Sequence, residues 1–123
     1  MSYITDRKRA NRWGSAKSGT QHFWRMKVQS VALLVLIPLF LIAVAPAIGK
    51  DYAGVTDHLS RPFPAIIAVL TLTVSFLHFA DGFQTLIEDY VHGLWEKVLI
   101  IGMTCLCWGA SVVAIFAIAR LAL

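Results

Sequence analysis

At 123 residues the chain has room for one domain. Its 58% hydrophobic and 15% charged residues set it apart from a soluble domain, which carries roughly 25% charged residues. A mean hydropathy of +0.69 excludes a disordered chain and indicates an integral membrane protein too small to be a complete enzyme with its own substrate pocket. The net charge of +4 is an N-terminal property: Arg7, Lys8, Arg9, Arg12, Lys17, Arg25 and Lys27 are opposed there by Asp6 alone. A basic run can signal nucleic acid, but this one abuts a long apolar segment. It reads as a cytoplasmic flank obeying the positive-inside rule, with a lipid bilayer and no nucleic acid as its partner.

Residues 1–21 are expected to form a cytoplasmic N-terminal arm, and residues 22–123 a transmembrane anchor of three helices. The first apolar stretch, Val28–Ile48, carries no charge. With its aromatic start it predicts a helix over about 22–48. A cleaved signal peptide is the rival, because Ala45-Pro46-Ala47 mimics a cleavage site. The apolar run exceeds the usual length of about 7–15 residues, which favours retention. Gly49 to Arg61 reads as a polar, turn-rich outer loop. The second stretch, Pro62–Ala80, has His78 as its single ionisable side chain, and Phe83, Leu86, Ile87 and Tyr90 extend the helical spacing beyond it. The second helix is therefore expected over about 62–91, closed by His92-Gly93. Val98–Ala119 predicts a third over about 95–121. Each stretch matches the roughly 20 residues needed to cross a bilayer, and in lipid only helices satisfy the backbone of such a chain. An N-terminus inside puts eight basic residues on the cytoplasmic side against Lys50, Arg61 and Arg120 on the other. This bias predicts an N-in, C-out protein of the bacterial inner membrane, with its C-terminus periplasmic.

His78 lies deep in the second helix, where an ionisable group is costly and functional by default. One reading is a histidine bonded to a neighbouring helix carbonyl. The other is an axial ligand to haem iron, in which case a partner chain supplies the second ligand. Gly82, one turn on, would let a flat ring or another helix approach. Asp89 is eleven residues after His78, three turns plus about 20°, so both share a face separated by about 16 Å. Asp89 and the adjacent Tyr90 suit a quinone, whose carbonyl takes a hydrogen bond from a phenol and whose reduction needs protons that a carboxylate can relay. Asp81 could bond the His78 imidazole directly or through water, or face a polar partner. Lys27 belongs either to an interfacial anchor or to a site that holds an acidic cofactor edge such as a haem propionate. Cys105 and Cys107 point about 200° apart and form neither a disulfide nor a metal motif.

These residues resemble a known family. The Gly14-Ser15-Ala16-Lys17-Ser18-Gly19-Thr20 stretch, His22-Phe23-Trp24, His78-x3-Gly82 and Asp89-Tyr90 are similar to those of succinate dehydrogenase membrane anchors. The likeness is to the smaller of the two anchors in the alphaproteobacterial form of complex II. It implies three helices packed against a sister cytochrome b anchor, sharing one haem b. It further implies His78 as axial ligand, Tyr90 and Asp89 in the ubiquinone site, and a flavoprotein and an iron–sulfur subunit as partners that deliver electrons from succinate. The chain then takes part in catalysis only as a subunit. Lys27 stands where the family usually has an arginine that holds a propionate, and lysine lacks the bidentate fork. The alternatives are a fumarate reductase anchor and a cofactor-free three-helix scaffold or assembly protein.

Overall fold

The computed structural model of the protein describes Thr5, Arg7 and residues 18–123. The structure is all-α. It comprises α1 (Ser18–Val44) with a 3-10 turn (Ala45–Ala47), α2 (Tyr52–Ser60), α3 (Pro62–Tyr90) and α4 (Leu94–Ala122). Three spans are long and apolar enough to cross a membrane: Gly19–Ala47, Pro62–Tyr90 and Leu94–Ala122, each 29 residues. At 1.5 Å per residue each is about 43 Å long, so its ends reach past a hydrocarbon core of about 30 Å into the head groups.

Most of the expected arm, including Gly14–Lys17, lies outside the described residues. Residues 18–21 are already helical, so α1 starts four residues before the position expected from the aromatic cluster. Its α-helical part ends at Val44 and tightens into a 3-10 turn through Pro46, because proline has no N–H and disfavours α geometry in the residue before it. Gly49, at φ 82°, then turns the chain in the left-handed region that glycine adopts without steric cost.

The connection from Gly49 to Arg61, expected as a polar loop, is not a loop. Residues 52–60 form α2, whose first turn is capped by the Asp51 carboxylate accepting from the Gly54 amide at 3.0 Å. The polar composition concealed this helix, although Asp51 three residues before Gly54 is an N-cap signal. His58 of α2 is buried and donates through Nε2 to the Ala43 carbonyl at 2.7 Å, fastening α2 to the end of α1. Arg61 is extended, as a residue before proline prefers, and Pro62 opens α3 at a position where its missing N–H costs nothing.

α3 is central and packs against both α1 and α4, with α2 at the end of the bundle where α3 begins, touching α3 and α4. The buried positions are mostly small: Ala43, Ala47, Ala65, Ala68, Ala80, Cys107 and Ser111. Small side chains let membrane helices approach closely, where packing rather than water exclusion drives association. The outward faces remain apolar and uncovered, with Leu34 75% and Val113 67% exposed. α3 ends at Tyr90 with the Val91 amide on the Ile87 carbonyl, and Gly93 at φ 82° reverses the chain into α4.

Candidate functional site

His78 is two residues from the middle of α3, within about 3 Å of the helix midpoint. Its Nδ1 is buried and has no hydrogen-bond partner among the described residues. A bond to a neighbouring helix carbonyl is therefore not what holds this histidine. His78, Gly82, Thr85 and Asp89 fall within about 60° of one another around the helix and form one stripe. A Cβ built on Gly82 meets nothing within 4 Å, so the stripe is open beside the imidazole. At its C-terminal end Asp89 and Tyr90 are the last two residues of α3, both exposed, with Tyr90 at 80%. They lie about 20 Å from the helix midpoint, at head-group depth. The chain thus presents a half-buried His78 and Gly82 and an exposed Asp89 and Tyr90 along α3.

Asp81 borders this stripe, about 60° round the helix from His78, and turns towards α1. Its carboxylate is buried and accepts three hydrogen bonds from α1. Arg25 Nε reaches Oδ2 at 2.8 Å, Arg25 Nη2 reaches Oδ1 at 2.5 Å, and Gln29 Nε2 reaches Oδ2 at 3.0 Å. This bidentate fork is the strong form of an ion pair, and it crosses from α1 to α3 instead of turning to His78. Of the sequence alternatives for Asp81, the bond to His78 is absent. The true partner was missed because Arg25 was counted with the basic flank. The available signal was Asp81, the acid directly after the apolar stretch Pro62–Ala80, and Arg25, a base just before Val28–Ile48, since charges at membrane depth seek each other.

Arg25 Nη2 also donates to His22 Nδ1 at 3.3 Å. A cleft of about 600 Å³ opens here beside the N-terminal end of α1, lined by Gly19, Gln21, His22, Arg25, Gln84 and Glu88. A smaller cavity of about 160 Å³, lined in part by Arg25, Gln29, Asp81, Gln84 and Trp108, lies beside the ion pair. Lys27 is exposed, with its Nζ 5.3 Å from the centre of the Phe23 ring, a cation–π distance. Among the described residues, no group of three or more His, Cys, Asp or Glu side chains could hold a bare metal ion.

Residues 1–119 match the family described as "Succinate dehydrogenase/Fumarate reductase transmembrane subunit". The chain belongs to this family. It is 45% identical over 123 residues to the succinate dehydrogenase hydrophobic membrane anchor subunit of Paracoccus denitrificans, covering 100% of this chain and 95% of that one. It is 33% identical over 90 residues to the succinate dehydrogenase membrane anchor subunit of Reclinomonas americana, covering 71% and 73%. The hydrophobic membrane anchor subunit of Rickettsia typhi is 29% identical over 106 residues, covering 83% and 85%. No solved structure shows significant similarity to the chain. As a family member the chain is a membrane-anchor component of a succinate/fumarate oxidoreductase-type complex. Its three spans make it a multi-pass membrane protein, consistent with the bacterial inner membrane.

Proposed function

We propose that the chain is the smaller anchor of a succinate dehydrogenase, with its N-terminus in the cytoplasm and its C-terminus in the periplasm. In this reading it shares a haem b with a sister anchor and helps form the ubiquinone-reduction site facing an iron–sulfur subunit, itself fed by a flavoprotein. The observation that carries the reading is the His78 imidazole, near the bilayer midplane, unpartnered and beside the open surface of Gly82. An ionisable group at that depth requires a partner, and the described part of the chain supplies none. A porphyrin brings four nitrogens of its own and asks the protein only for axial ligands. A single histidine per anchor therefore fits the group, although no cage for a bare ion is present among the described residues.

The haem, when bound, supplies one-electron storage beside the quinone site. The rest of the task falls to side chains. His78 offers a ring nitrogen across the open face of α3. Gly82 keeps a side chain out of the approach. Lys27, at the inner end of α1, is a candidate contact for a propionate through a single ammonium. Tyr90 donates its phenolic O–H to a quinone carbonyl, fixing the ring and drawing electron density towards the oxygen that is to be protonated. Asp89, exposed at the inner edge, takes protons from the cytoplasmic water and passes them on as the quinone acquires two electrons. Both residues end α3 at head-group depth, which suits a lipid-soluble substrate whose protons come from water.

His78→Ala in the assembled complex is expected to abolish or perturb the b-type haem spectrum. An unchanged spectrum in that variant would overturn the ligand assignment.

A further inference from the structure

The Arg25–Asp81 pair needs a reason to exist. A buried ion pair can often be exchanged for well-packed apolar residues with no loss of stability, so holding two helices together does not by itself call for charge. Its position is informative. Asp81 lies three residues from His78, so their Cβ atoms are about 5–6 Å apart on the helix surface. No other charged residue lies within one turn of His78 on α3. The two charges are unequally placed: the Asp81 side chain is 11% exposed and that of Arg25 57%, towards the inner cleft.

We infer that the Arg25–Asp81 pair sets the reduction potential of the haem held by His78, Asp81 favouring the oxidised iron and Arg25 cancelling most of that effect. The inference rests on the haem reading above. Reduction takes one positive charge from the iron. A nearby carboxylate therefore opposes it and a nearby guanidinium assists it, and a low dielectric amplifies both. Because the carboxylate is nearer the imidazole along α3 and less screened, the intact pair leaves a small residual bias towards the oxidised state.

The test is a redox titration of the haem in the purified complex. Asp81→Asn is the decisive single variant, because the guanidinium it leaves cannot lose its proton, whereas a carboxylate stranded by an Arg25 substitution could gain one and hide its field. The expected result is an about tenfold shift of the reduction equilibrium towards ferrous haem, which is about 59 mV upward for a one-electron couple. The double variant R25Q/D81N removes both charges and is expected to return to within about threefold of the wild type. A purely structural effect would leave the double variant as displaced as the single one. That result, or an unmoved potential in D81N with haem bound, would overturn the inference. If D81N holds no haem, the double variant decides: haem retained within about threefold of wild type supports the inference, and loss of haem or a larger shift overturns it. A wild-type complex with no b-type spectrum would instead overturn the haem reading itself.

Discussion

The link between α1 and α3 can be measured as a coupling energy. Arg25 and Asp81 share two hydrogen bonds, at 2.8 and 2.5 Å, and Gln29 adds a third at 3.0 Å. Hydrogen bonds to charged groups contribute about 1.5–3 kcal/mol each when well enclosed. The Arg25 side chain is 57% exposed, so solvent screens its half of the pair and the gross value must be cut substantially. Interhelical hydrogen bonds in membrane proteins average about 0.6 kcal/mol, with a maximum near 1.7. A doubly bonded ion pair belongs at or slightly above that maximum, and we expect a coupling of about 2 kcal/mol, close to thirtyfold in an equilibrium constant. The assay is a double-mutant cycle on Arg25→Gln, Asp81→Asn and the combined variant, following reversible unfolding of the full chain in mixed micelles. Each single variant should be clearly destabilised, and the double variant should be more stable than the sum of the singles predicts. A coupling within about 0.5 kcal/mol of zero, the ordinary scatter of independent sites, would show that the pair does not join the helices.

Three further outcomes follow from the same geometry. Tyr90→Phe removes one hydroxyl from the exposed end of α3 and should slow quinone reduction while leaving succinate oxidation by an artificial acceptor intact, and equal loss of both activities would count against the quinone assignment. Gly82→Ala has room within the chain, since a Cβ there meets nothing within 4 Å. It should leave the isolated chain's stability nearly unchanged while lowering haem content in the complex, and full haem occupancy would argue against a ring or helix seated there. His58→Leu removes the 2.7 Å bond to the Ala43 carbonyl and should destabilise the outer end by about 1–2 kcal/mol. Proteolysis between Gly49 and Arg61 should accelerate accordingly, and an unchanged cleavage rate would show that α2 is held otherwise.

The three spans were legible because hydropathy and length suffice to define a crossing helix, whatever its neighbours. α2 was not, because Asp51, Thr56, Asp57 and Ser60 give it the composition of a turn. Its stability depends on a cap and on His58 reaching a carbonyl fifteen residues earlier, a contact made only once the helices have packed. Helical arithmetic was enough to put His78, Gly82 and Asp89 on one face. It could not say that His78 would be left half-buried and without a hydrogen-bond partner among the described residues, since this depends on where α1 and α4 settle around α3. The Arg25–Asp81 contact escaped for the same reason. A base before an apolar run reads as a topological flag, and only the antiparallel register of α1 and α3 brings it opposite an acid.

That contact spans 56 residues of sequence, which gives it a consequence during synthesis. At about 5–20 residues per second, Asp81 leaves the ribosome some 3–11 s after Arg25. Once α1 has emerged to Val44 and inserted, its guanidinium would stay unneutralised by Asp81 for the rest of that interval, and the long side chain can reach towards the phosphates to keep its charge in water. When α3 follows, its carboxylate supplies the counter-charge from within the protein and the arginine can exchange lipid for aspartate. The depth of the first helix would then be adjusted when the second span crosses. A chain stalled between the two would leave α1 anchored to head groups, its inner end held away from the position it occupies in the finished fold.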